Sequence, residues 1–246
     1  ENGDVSVGVL NGNLVDGNPD EFLGNAELLA LWPNEKDSFT VQEILDFIEE
    51  AYRQQLSDTN YWSKKLNISA KDINLNIAAG AVGDKVDYRI DLANGQVKLT
   101  AEMATILAGA KPGEVSFYDG SANKITDPNR LNEATYLIVD LKRYVRLAAS
   151  GQVNVQAKDH IYLDSGQDLN LKKAESSSGQ EIQLRSSGSI YNAADPGAAT
   201  ISGGDLLLEA ANGSIGSEPN PLLVQLTGAL IARAGDSIFL KRIAGG

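Results

Sequence analysis

The sequence contains no cysteine, which excludes disulfides and thiolate-held metals. It contains one histidine, His160, so a histidine-rich metal site is excluded and a single imidazole is left for acid–base work. Basic residues are outnumbered. Lys plus Arg total 21 against 33 Asp plus Glu, a formal charge of −12, and sequence-independent nucleic-acid binding needs the opposite balance. No run approaches the about 18 apolar residues of a membrane helix, so no membrane insertion of this segment is expected. Aromatic residues make up only 6%. With 24 glycines, this scarcity points to many short strands joined by tight turns.

What is present is globular: 42% hydrophobic and 22% charged residues rule out wholesale disorder. The start at Glu1 reads as the edge of an excised or processed piece of a longer protein. From Tyr136 onward, apolar residues alternate in short bursts: Leu137, Val139 and Leu141; Val153 and Val155; Ile161 and Leu163; Leu169 and Leu171; Ile182, Leu184 and Ile190. Period two with one apolar face means half-buried strands. Val153, Ile161 and Leu169 recur at one even spacing, which fits a meander, a sandwich or a solenoid. The few inward residues per strand and the scarcity of two-residue hairpin signals favour the solenoid. Residues 136–246 are therefore expected to form a parallel coil, with Leu137, Val139, Val153, Val155, Ile161, Leu163, Leu169, Leu171, Ile182, Leu184, Leu206 and Leu208 inward.

"DINLNIAAGAVGD" at 72–84 also aligns with "DLLLEAANGSIGS" at 205–217, pairing Gly80 with Gly213 and Gly83 with Gly216. The glycines should mark equivalent turns, and the likeness extends to Gly95 and Gly228.

The first third departs from this text. Asn18 and Pro19 open one helical pattern. Thr40 and Glu43 have capping-box spacing before a stripe of Val41, Ile44, Leu45, Ile48, Tyr52 and Leu56, with Glu49 and Arg53 paired on the other side. The stripe is expected to dock on the flank or end of the coil. Trp32, Tyr52, Tyr61 and Trp62 cluster in or beside this excursion, so it is the binding surface to expect if the chain binds something specific. Residues 101–135 read as an irregular loop excursion.

Residues 204–246 resemble the repeat body of filamentous-haemagglutinin-like exported proteins. The carriers are Gly213, Ile215 and Gly216, then Asn220-Pro221-Leu222, then Gly228 and the "AGDSIFL" strand. Residues 150–171 look like the same unit, whereas 18–65 are not covered. The resemblance implies a mainly β fold: a right-handed parallel β-helix, one segment over 1–246, with a helical insertion or end cap at 18–65. It also implies a secreted or bacterial outer-surface location and a non-enzymatic adhesin role in virulence. The partners would be a host-surface protein or glycan, or other domains of the same polypeptide.

An enzyme acting on acidic polysaccharide is the alternative, since β-helices also carry lyases and hydrolases. Its signature would be carboxylates and basic groups over a groove. Asp140, Lys142, Arg143 and Arg146 are candidates, as is His160 oriented by Asp159 or Asp164. Outward-facing charge on a solvated strand is the plainer reading of both sets. Asp119, Ser121, Asn123 and Asp127 alternate like a calcium loop, but Lys124 and Arg130 stand where Gly and Glu are required. No metal and no cofactor is expected.

Overall fold

The computed structural model describes residues 3–16, 38–57, 66–111 and 113–244, with the side chains of 55–57 and 101 left aside. The chain divides into two compact units. The first comprises Glu1–Asp16, Thr59–Asp84 and Arg143–Gly246, and the second Gly17–Asp58 and Lys85–Lys142.

The first unit is built from two parallel sheets. The first sheet runs in the order Val5–Val9, Ile73–Ile77, Gln152–Ala157, Leu169–Ser176, Ile201–Gly203, Leu222–Leu226, Leu240–Arg242, with Ile190–Asn192 also paired to Leu169–Ser176. The second runs Leu230–Ala234, Leu206–Ala210, Ile182–Ser186, Ile161–Ser165, Val145–Ala149, Ile68–Ala70. From Ile68 onward, the strands of this unit mostly alternate between the two sheets along the chain. A strand of one sheet therefore meets its partner only after the chain has visited the other: Val145 pairs with Leu163, Ile161 with Ile182, and Ile182 with Leu206. The expected inward residues Val153, Val155, Ile161, Leu163, Leu169, Leu171, Ile182, Leu184, Leu206 and Leu208 all sit in one apolar cluster fed by both sheets. Each such side chain contributes about 1.5–3 kcal/mol by leaving water.

A latch recurs between stacked strands. Asp72 Oδ1 accepts the N–H of Gln152 at 2.6 Å, Asp168 Oδ1 that of Ser189 at 2.7 Å, and Asp205 Oδ1 that of Ala229 at 2.7 Å. Each donor follows a glycine, Gly151, Gly188 or Gly228, and a Cβ on any of them would collide with the accepting carboxylate oxygen. Gly188→Ala is expected to lower stability by about 1–3 kcal/mol, by expelling Asp168 from its bond. If so, Asp168→Ala/Gly188→Ala will cost less than the sum of the two single changes in a denaturant titration, because the second change removes what the first collides with. Simple additivity would sink the latch.

The two aligned segments 72–84 and 205–217 share a backbone path. Each is a strand, a short turn and a single bridging residue, and Gly83 and Gly216 have φ of 85° and 69°. Val82 bridges to Ile161, and Ile215 to Ile190 and Ile238. The strands lie in different sheets, however: Ile73–Ile77 in the first and Leu206–Ala210 in the second. The likeness ends at Gly83 and Gly216. Gly95 has φ of 69° in the second unit, whereas Gly228 lies under the Asp205 latch without positive φ.

The second unit has its own core. Helix α1, Val41–Ser57, opens with the expected capping box: Thr40 N–H donates to Glu43 Oε2 at 2.9 Å, and Glu43 N–H to Thr40 Oγ1 at 3.4 Å. Arg53 pairs with Glu50 at 2.6 Å rather than with Glu49. That bond, with a second from Gln54, lowers the pKa of the exposed Glu50 carboxyl to about 2. Ile44 and Ile48 pack with Leu107 of helix α2, Ala101–Gly109, and with Ile90, Phe117 and Leu137. The sequence pattern points this stripe at the coil. Val41, Ile44 and Ile48 are instead buried in the second unit's own cluster, because residues 85–142 supply an apolar surface of their own.

Residues 101–135 are likewise not irregular. They hold α2, capped by Thr100, the strands Val115–Tyr118 and Lys124–Ile125, and a 3₁₀ turn at Pro128–Glu133. Leu137 and Val139 belong here too. Their strand, Tyr136–Arg143, runs antiparallel to Val115–Tyr118, with Phe117 opposite Leu137, so the parallel text begins only near Val145. The helical pattern opened by Asn18 and Pro19 lies outside the described residues.

Candidate functional site

The face of the first sheet turned away from the core carries a groove of about 450 Å³. Two local irregularities shape it. In Leu169–Ser176 the pairing passes from Val153–Leu171 to Asn154–Lys173, leaving Lys172 as a bulge. The bulge sets Lys172 and Lys173 side by side in the groove lining, and Ala174 returns to the core. One strand further, Leu171 pairs with Asn192, but Ala174 pairs with Ile201. The chain between Asn192 and Ile201 is longer than this step requires. Its surplus leaves the sheet and becomes a wall of Ala194, Asp195, Ala198 and Ala199.

That wall is tied down. Asp195-Pro196-Gly197-Ala198 closes with Ala198 N–H donating to the Asp195 carbonyl at 3.0 Å. Gly197 has φ of 82°, which this turn asks of its third residue. Asn192 Oδ1 accepts from Ala194 N–H at 2.9 Å and from Thr200 Oγ1 at 3.0 Å, and its amide donates to the Pro221 carbonyl at 2.8 Å. The floor is a row in register, Gln156, Glu175, Ser202 and Gln225, beside Asn154. Lys173 Nζ lies 2.5 Å from Glu175 Oε2.

The second sheet carries a different feature on its outward face. Arg146, Asp164, Arg185, Glu209 and Arg233 stand in register across adjacent strands, alternating in charge. Arg146 Nε approaches Asp164 Oδ2 at 3.8 Å and Arg185 Nη1 approaches the same oxygen at 3.5 Å. Arg185 Nε lies 3.1 Å from Glu209 Oε2, and Arg233 Nη1 lies 2.8 Å from Glu209 Oε1. Arg185 is 1% exposed, Asp164 1% and Glu209 4%, so the middle of the row is buried rather than solvated, while Arg233 at its end is exposed. Alternation of sign gives each inner charge a counter-charge on either side, which makes the burial tolerable. Beside the row, Tyr144 donates to Gln183 Oε1, and the Arg185 guanidinium lies 5.2 Å from the Tyr144 ring centre.

Neither site is the one the residue types first suggest. Tyr52 is buried at 7% exposure, while Trp32, Tyr61 and Trp62 lie outside the described residues. His160 stacks on Tyr162 at 4.4 Å between ring centres, and Tyr162 donates to Glu181 at 3.0 Å. Burial holds the imidazole below its ordinary range, against an opposing pull from Gly83, Asp159, Asp84 and Glu181. Asp164 belongs to the charged row and Asp159 accepts from Ser178 Oγ at 3.4 Å, so the orienting roles are otherwise engaged.

The candidate cluster divides by unit. Asp140 and Lys142 pair at 3.3 Å in the second, whereas Arg143 pairs with Asp84 at 3.7 Å and Arg146 with Asp164 in the first. Asp119 spends its carboxylate on Ser121 N–H and Asn123 N–H, both at 2.9 Å, and Asp127 caps Asn129 N–H at 2.9 Å. These are turn bonds. Among the described residues no group of acidic or histidine side chains is placed to hold a metal.

The groove residues carry no motif by which the sequence alone would single them out. Two weaker signals are there: the doubled Lys172-Lys173 that breaks period two, and the long gap "AADPGAAT" between two short strands. Comparison of the chain with protein-family models, with curated proteins and with solved structures finds no match.

Proposed function

We infer that the chain is a non-enzymatic segment of a large secreted or surface-exposed bacterial adhesin. In this reading its first unit winds as a right-handed parallel β-helix and its polar groove is presented for binding. One observation carries it: every described pairing in the two sheets is parallel, and successive strands mostly alternate between them. A coil of stacked turns produces that pattern, and parallel crossovers are right-handed in nearly all proteins. The "AGDSIFL" and "NGSIG" text adds the likeness to filamentous-haemagglutinin-like repeats.

A second reading has its own support. The groove brings carboxylates, Glu175 and Asp195, together with Lys172 and Lys173, as a polysaccharide-active enzyme would. The intimate Lys173–Glu175 pair weighs against it, because each charge is already neutralised by the other. Prolonged incubation with acidic and neutral polysaccharides decides between them. The adhesin reading expects no new reducing ends and no unsaturated product. Turnover that disappears in Glu175→Gln would transfer the assignment to the enzyme.

A further inference from the structure

We propose that the groove binds a neutral oligosaccharide laid across the strands of the first sheet, with Gln156, Glu175, Ser202 and Gln225 reading its hydroxyls. The proposal deepens the binding role inferred above and rests on it only in taking the groove to hold a ligand without turnover. The floor is almost wholly amide, carboxylate and hydroxyl, groups that bond vicinal hydroxyls in pairs. Neighbouring strands lie about 4.8 Å apart, so the row from Gln156 to Gln225 spans about 14 Å, enough for about three sugar rings.

The wall supplies what a sugar's C–H face needs. Ala194, Ala198 and Ala199 are small and apolar, and they leave the groove wide. The turn at Pro196-Gly197 and the bonds of Asn192 fix that wall before any ligand arrives, so little ordering is required on binding.

Charge selects a neutral ligand over an acidic one. Lys172 and Lys173 meet Glu175 and Asp195 in the groove, which leaves no net attraction for an anion. The chain as a whole carries −12, so a polyanion is repelled at long range. A peptide strand is disfavoured as well, because the strands flooring the groove are paired on both edges and their backbone bonds are taken. Among the described residues no aromatic platform lines the groove, so affinity per site should be weak, with a Kd of about 1 mM.

The test is a titration of the ¹⁵N-labelled chain with neutral trisaccharides of glucose, galactose and mannose, and with uronic-acid trisaccharides, each to about 10 mM. The proposal expects saturable amide shifts for a neutral sugar, confined to residues 154–156, 172–175, 194–202 and 225. In Gln156→Ala/Gln225→Ala the affinity should fall by about tenfold or more, with the amide spectrum of the other strands unchanged. Lys98→Gln, an exposed change in the second unit and outside the groove, should leave it intact. No shift with any sugar, shifts elsewhere on the chain, or stronger binding of the uronates would overturn the ligand assignment. Cleaved sugar appearing during the titration would instead overturn the non-enzymatic reading, while groove-confined shifts kept the ligand class in place.

Discussion

Arg185→Met is expected to destabilise the first unit by about 3–5 kcal/mol, among the largest effects of any single substitution in the chain. Methionine keeps much of the volume but removes the cation that stands between Asp164 and Glu209, both almost fully buried. Asp164 and Glu209 would then face each other with no cation between them, each left with one outer partner, Arg146 or Arg233. Arg185→Lys should recover little. A lysine presents a point charge and cannot engage both neighbours with the planar fork of a guanidinium. Denaturant unfolding at neutral pH measures the loss. A change below about 1 kcal/mol would show the row to be no more than a set of surface-like pairs.

The second large effect is expected in the second unit. Ile48 is 1% exposed and packs in a core with Ile44, Leu107, Phe117 and Leu137. Ile48→Asp removes that burial and strands a carboxylate, for a loss of about 4 kcal/mol. Hydrogen exchange reads the consequence element by element: protection should collapse across 41–57 and 101–109, while the core strands at 153–155 and 169–171 belong to the other cluster. If α1 were instead an exposed recognition helix, its stripe would already face solvent and the exchange pattern would not change.

What can be read from the sequence is local. The helix at 41–57 announces itself through Thr40, Glu43 and a one-sided stripe, all close together along the chain. Inward positions such as Val153 and Leu171 follow from period two, which needs only neighbours. The partner of a strand is not local, and that is where Leu137 and Val139 mislead. Their alternation is the same whether the next strand runs parallel or antiparallel, and here it runs antiparallel.

Helix α2 is hidden for another reason. "AEMATILAG" is apolar around most of its circumference, so it shows no stripe. The groove and the charged row depend on which strands stack, and their members meet only after the chain has passed through the opposite sheet. A trace of the row is visible once the stacking is known, since Arg146, Arg185 and Glu209 each follow an inward Val or Leu.

The alternating row has a consequence for how the chain finds its fold. Stacked strands of similar length and composition invite a skipped neighbour, the characteristic error of repetitive architectures. Every skip across this row sets like against like: Arg146 beside Arg185, Asp164 beside Glu209, Arg185 beside Arg233. A slip of one residue would instead drive a charge into the aliphatic cluster. The row therefore acts as a proofreading code. It separates the correct order of strands from its nearest errors by repulsion rather than by added attraction, and it does so while each strand is laid down upon the last.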